Sequence, residues 1–94
     1  MVVEFLTFTV PLAERDEWLE IEERHWSRFL EQQDGFVRKE VWQGAGEQIQ
    51  AVIWWASMEQ WKAIPQEDLD RVAEAMGPYE REATCVAYDV LRLS

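Results

Sequence analysis

Four strand-like segments and two helical regions follow one another along this chain in an order that few folds accommodate. The strand-like segments span residues 2–10, 36–43, 48–56 and 84–93, and they are rich in β-branched and aromatic residues. Helical periodicity predicts a first helix over 12–33 and a second helical region over 58–76 that Pro65 interrupts. The order β-α-β-β-α-β predicts an α+β, ferredoxin-like domain over residues 1–94, with both helices on one face of a four-stranded antiparallel sheet.

Local signals mark the ends of these segments. Gly35 follows the first helix and predicts its end, and 44–47 (Gly-Ala-Gly-Glu) predicts a hairpin between strands two and three. Ser57 and Gln60 have the spacing of a capping box at the start of the second helical region. Gly77-Pro78 predicts the end of that region, so the last segment is free to form the fourth strand.

The first and third strands are apolar on both faces. In the first, Val3 and Phe5 alternate with Leu6 and Phe8, and the third ends in two tryptophans. Two helices can cover only one face of the sheet, so the other face needs a second cover. We therefore predict a homodimer in which two sheets pack face to face.

The composition limits the classes of partner. Nineteen acidic residues against nine basic ones give a net charge of −10, and no cluster of Lys and Arg suits a phosphate backbone or an anionic membrane surface. We expect neither nucleic acid nor membrane as a partner. No apolar run has the length of a membrane span, and the first residues do not resemble a signal peptide, so a cytoplasmic protein is expected.

One Cys and one His leave little basis for a metal site, and we predict neither a metal nor a cofactor. Cys85 is predicted to be a small buried hydrophobic residue. Lys39 and Glu40 lie on opposite faces of the second strand, so one of them approaches the less solvated side.

Glu22 is the most informative single residue, because it lies within the apolar stripe of the first helix. That stripe also contains Leu12, Trp18 and Trp26. A carboxylate among tryptophans is partly desolvated, which can prepare it for general acid–base catalysis in a pocket between helix and sheet. The alternatives are a structural ion pair with Arg15 or Arg38, or simple exposure at the edge of the stripe.

Several other side chains could join Glu22 in a site. His25 follows it at a helical spacing of three, so the two could form an acid–base pair. Candidate ligand-binding residues for a small aromatic or apolar molecule are Trp26, Trp55, Trp61 and Tyr88. The alternative for all of these aromatic residues is a role in the core and in the dimer interface.

Three stretches of the sequence resemble a known group of proteins. They are 22–27, with Glu22 four positions before Trp26; Gly35-Phe36 with 39–42 (Lys-Glu-Val-Trp); and 55–65, which contains Trp55 and Trp61. They are similar to a small family of the dimeric α+β barrel superfamily, related to the antibiotic-biosynthesis monooxygenases and the haem-degrading monooxygenases. The resemblance implies the ferredoxin-like fold and the dimer, but no particular reaction.

The haem-degrading relatives use a His on the second helix and an Asn on the first strand, whereas this chain has no Asn and its only His is on the first helix. Two functions therefore remain open. One is a small-molecule-binding protein with activity like that of a cofactor-independent monooxygenase. The other is a non-enzymatic binding or structural homodimer.

Overall fold

The computed structural model describes all 94 residues. The strands are β1 (Val2–Thr9), β2 (Phe36–Gln43), β3 (Gln48–Trp55) and β4 (Thr84–Asp89). A first continuous helix, called helix one below, comprises α1 (Arg15–Glu22), a π-helical turn (Glu23–Ser27) and α2 (Arg28–Leu30). The second helical region contains α3 (Met58–Lys62) and α4 (Gln66–Met76), and 3₁₀ turns occupy Leu12–Glu14 and Gly77–Tyr79.

The four strands form one antiparallel sheet in the order β2-β3-β1-β4, with the helices on one face. The predicted ferredoxin-like arrangement is therefore confirmed. The predicted N-cap is also present, because the Ser57 hydroxyl accepts a hydrogen bond from the Gln60 amide at 3.1 Å.

The core lies between the sheet and the helices. Alternate residues of β1 and β3 face the helices, and Trp55 and Ile53 are almost fully buried there beside Leu30. A second cluster joins Trp18 to Val10 and Ile49, and the Trp18 indole donates a hydrogen bond to the Tyr79 carbonyl at 2.9 Å. This bond ties helix one to the turn that follows α4.

A bulge near the start of β2 changes which residues face the helices. The pairing with β3 shifts between Phe36 and Arg38, so Phe36 packs in the core although Arg38 pairs with Trp54. After the bulge, Lys39 lies on the helix face and Glu40 on the opposite face, where it pairs with Arg38. Of the two residues predicted to face opposite sides, Lys39 is the one inside.

Helix one is shorter than predicted and is not uniformly α-helical. It runs from Arg15 to Leu30 and includes a π-helical turn, which widens the backbone locally. Leu12 was predicted in its apolar stripe, but this residue lies in the preceding 3₁₀ turn and is 56% exposed. No helix combines the length and the apolar character needed to cross a lipid bilayer.

Strand β4 is an edge of the sheet, and no helix packs closely over it. Every residue of β4 is exposed, including Cys85. The prediction of a buried Cys85 is therefore wrong, because an apolar strand pattern does not reveal whether a helix covers that strand. The β4 ladder ends at Asp89, short of the predicted residue 93.

Candidate functional site

A cavity of about 380 Å³ lies between the helix face of the sheet and the helices. Its floor comes from β1 and β3, one wall from helix one, and the opposite wall from α3 and the residues that follow it. Most of the lining is apolar, which suits a small organic ligand. The apolar lining includes Leu6, Phe8, Leu30, Ala51, Ile53 and Leu69.

The charged pair at one side of this cavity is Glu22 with Lys39. Their side chains are 5% and 7% exposed, and the Lys39 ammonium donates hydrogen bonds to the Glu22 carboxylate and, at 2.7 Å, to the Ser27 hydroxyl. The alternatives to a pocket role for Glu22 were an ion pair with Arg15 or Arg38, or exposure; Glu22 is buried and pairs with Lys39 instead. Arg15 lies against Asp16 and Gln43, whereas Arg38 stays on the far face of the sheet.

The buried pair also borders a second cavity, of about 470 Å³, on the β2 side of helix one. Glu22 and Lys39 line both cavities, so the pair forms a wall between them. Removing one member of a buried pair leaves an uncompensated charge, at a typical cost of about 3–5 kcal/mol. The pair therefore holds the cavity wall in place, whatever its chemical role.

Glu4 is a carboxylate in the cavity floor, and it was not among the site residues predicted from the sequence. Its Oε1 accepts a hydrogen bond from the indole of the fully buried Trp55 at 3.1 Å. Burial raises the pKa of Glu4 above its ordinary value, although the Trp55 hydrogen bond and the charges of Lys62 and Lys39 partly offset that effect. Glu4 therefore combines a largely apolar setting with a raised pKa.

Two tryptophans supply flat aromatic surface to the cavity. Trp26 projects from the π-helical turn, and its indole donates a hydrogen bond to Glu80 at 3.2 Å. Trp61 lies on α3 on the other side, and the Lys62 ammonium is 4.1 Å from the centre of its ring. Both were predicted to bind a ligand, and both line the cavity.

The remaining predicted site residues lie elsewhere. His25 is half-buried on helix one and does not line the cavity, and no hydrogen bond joins it to Glu22. Trp55 lies beneath the cavity floor, where it holds Glu4. Tyr88 is 54% exposed on the opposite face of the sheet, with its ring against Phe5 at 6.0 Å.

The sequence did contain a signal for Glu4. Glu4 is the only charged residue of β1. It lies two residues before Leu6 and four before Phe8, so strand alternation places it on the same face, toward the helices. For the second strand the sequence predicted only that Lys39 or Glu40 faces the less solvated side, because the β2 bulge that turns Lys39 inward does not follow from residue alternation.

Solved structures of the same fold come from several bacteria. The chain aligns over its full length with 96% of a proposed antibiotic biosynthesis monooxygenase from Deinococcus radiodurans, at a TM-score of 0.73 and 14% identity. It aligns over 98% of its length with 94% of SnoaB, a cofactor-independent oxygenase from Streptomyces nogalater, at a TM-score of 0.73 and 17% identity.

A third such structure is MhuD, a haem-degrading protein from Mycobacterium tuberculosis with two haems bound in its active site. The whole chain aligns with 99% of MhuD, at a TM-score of 0.73 and 23% identity. No protein-family model and no curated protein matches the sequence. At these identities the likeness establishes the fold of the antibiotic biosynthesis monooxygenase-like proteins, and function has to be argued from the site.

The cavity residues do not fit a haem. Protein ligands to haem iron are His, Cys, Met or Tyr, and none of these residue types lines the cavity. No group of three or more His, Cys, Asp or Glu side chains is placed to hold a metal ion. The polar or aromatic side chains of the lining that can act on a ligand are the three carboxylates, the two lysines, Arg81, Gln66 and the two indoles.

Proposed function

We propose that this protein binds a small, flat organic molecule in the cavity beside Glu4 and the Glu22–Lys39 pair. The observation that carries this proposal is the cavity itself, with about 380 Å³ of space where side chains could have filled the core. Trp26 and Trp61 offer aromatic surface, and the buried charges offer polar contacts within an apolar lining.

The enzymatic form of the proposal is oxygenation without a cofactor, in which a CH₂ group of an electron-rich ligand and O₂ give a C=O group and water. The neighbour SnoaB is named a cofactor-independent oxygenase. Glu4 is the group best suited to accept a proton from the ligand, because a raised pKa makes a carboxylate a stronger base. The Glu22–Lys39 pair acts as a positioning group that keeps the wall of the cavity in place.

We further propose that two copies pair through the sheet face that the helices leave uncovered. That face contains Val3, Phe5, Trp42, Val86 and Tyr88, and the last three are 43%, 46% and 54% exposed. This aromatic surface also supports the second candidate function, a dimer whose aromatic residues serve only its core and interface. Residence in the cytoplasm stays a prediction from the sequence.

Ligand binding can be tested by fluorescence quenching with anthraquinone derivatives, which are flat and aromatic. We expect saturable quenching at micromolar concentrations, with binding weakened about tenfold or more in Trp61→Leu, because a large aromatic contact is lost. Trp42→Leu is the matched control, since Trp42 lies on the opposite face of the sheet.

Variants of Glu22 are unsuitable for this test, since the loss of a buried partner destabilises the whole chain. The proposal fails if a broad panel of flat ligands gives no saturable quenching, or if both tryptophan variants bind equally well. Oxygen uptake with electron-rich ligands then separates the two candidate functions. If the wild-type protein consumes oxygen, and Glu4→Gln abolishes that consumption but still binds the ligand, the enzymatic function is supported.

A further inference from the structure

The charges around the cavity are not evenly compensated. Three acidic side chains, Glu4, Glu22 and Glu80, and three basic ones, Lys39, Lys62 and Arg81, contribute to its lining. Which of them already has a partner decides what charge an incoming ligand meets.

Two of the three cations are engaged within the protein. Lys39 is buried against Glu22, as described above. The Arg81 guanidinium pairs with Glu14 at 3.0 Å and donates to the carbonyls of Pro78 and Glu80 at 2.7 and 3.2 Å. Both cations are therefore occupied by groups of the chain itself.

Lys62 is the cation of the lining that forms no salt bridge. Its ammonium instead lies over the Trp61 ring, which is part of the aromatic surface of the cavity. Glu4 is close enough to interact with it electrostatically, but its carboxyl group accepts the Trp55 indole hydrogen bond and forms no salt bridge with Lys62. Lys62 thus offers a positive charge at the edge of an apolar, aromatic cavity.

The net charge of the whole molecule limits where an anionic ligand can bind. With a net charge of −10, the protein repels anions at long range, and salt screens that repulsion beyond about 10 Å. An anionic ligand is therefore favoured only where a cation contacts it directly. Lys62 is the one cation of the lining free to do so.

We propose that the cavity binds a flat aromatic molecule that carries a carboxylate or a comparably compact anionic group, with that group on the Lys62 ammonium and the rings between Trp26 and Trp61. This proposal rests on the small-molecule function proposed above and adds the chemical class of the ligand.

The test compares anthraquinone-2-carboxylate with its uncharged carboxamide by isothermal titration calorimetry. We expect the carboxylate to bind more tightly and Lys62→Met to weaken it about five- to tenfold, because a charge-assisted hydrogen bond is lost. Carboxamide binding should change less than twofold, and Lys62→Arg should retain most of the carboxylate affinity. Arg71→Met is the matched control, because it removes the same charge from an exposed position outside the cavity.

Equal affinities of the wild-type protein for the two ligands would overturn the anionic class while leaving the binding function intact. Equal weakening by Lys62→Met and Arg71→Met would also overturn it, since only the net charge would then matter. Absence of binding by both ligands would contradict the proposed function and this inference together.

Discussion

Glu4 links the chemistry of the cavity to the stability of the fold. Its carboxyl group has a raised pKa in the folded chain because of burial, and it accepts the indole hydrogen bond of the fully buried Trp55. In the unfolded chain Glu4 loses its proton at a lower pH than in the folded chain. Between those two pKa values the folded state binds more protons, so the free energy of unfolding falls as the pH rises.

Glu4→Gln should remove this pH dependence while keeping an oxygen acceptor for Trp55. Relative to wild type, we expect the variant to gain stability as the pH is raised from about 4 toward neutrality, where the wild-type carboxyl group must ionise in its buried site. Urea unfolding at a series of pH values measures the difference. Glu47→Gln, at an exposed hairpin position, is the control and should show no such gain. If the difference in unfolding free energy between Glu4→Gln and wild type is the same at all pH values, the raised pKa of the buried Glu4 carboxyl group is contradicted.

At the scale of secondary-structure elements, Gly35 holds the junction between helix one and β2 against the start of α3. It adopts a φ of +85°, and its carbonyl accepts a hydrogen bond from the Ala56 amide at 2.7 Å. A Cβ atom at this position would lie 2.6 Å from the Cβ of Gln60. Both the backbone conformation and the close contact therefore favour glycine.

Gly35→Ala and Gly46→Ala form a matched pair. Gly46 has a φ of +58°, and no atom lies within 4 Å of the position that an alanine Cβ would occupy there. Its substitution therefore tests the backbone conformation alone, at a cost of about 1–2 kcal/mol. We expect Gly35→Ala to lower the free energy of unfolding by more, because Gln60 must also move. Chemical denaturation of the two variants measures the difference, and equal losses would show that the contact with Gln60 is unimportant.

The order of the elements could be predicted from the sequence, but local departures from regularity could not. Proline, glycine and the Ser57 cap are strong local signals, and the hairpin between β2 and β3 and the start of α3 lie where those signals placed them. The β2 bulge is different, because it arises when two strands with their own side-chain patterns are paired. That bulge turned Lys39 inward, and it is the reason that the partner of Glu22 was predicted wrongly.

On the scale of the whole molecule, the two faces of the sheet have different roles. The helix face encloses the cavity, with Glu4 and Lys39 in its lining. The other face contains an aromatic group in which Phe5 contacts Trp42 and Tyr88, with ring centres 6.2 and 6.0 Å apart. Alternation in β1 and β3 was enough to predict two apolar faces, but the six tryptophans could not be divided between core, cavity and surface without the packing of the helices.

The proposed dimer predicts that a charge on the uncovered face will separate the two copies. Val86 is 46% exposed on this face, so Val86→Lys removes little packing within one chain but would bury a lysine in a face-to-face dimer. By light scattering on a sizing column, we expect wild type at twice the 11.2 kDa chain mass and Val86→Lys at the chain mass.

Leu12→Lys is the control for the dimer test, because Leu12 is 56% exposed in the 3₁₀ turn before helix one and lies outside the sheet. It adds the same charge and removes an exposed apolar side chain, so it should remain dimeric. Unchanged circular dichroism in both variants would show that the chain still folds.

A wild-type monomer at micromolar concentration would rule out a stable dimer. A Val86→Lys dimer as stable as wild type would place any interface elsewhere. In a true face-to-face dimer the cavity lies on the other side of the sheet, so ligand binding by a folded Val86→Lys monomer should persist.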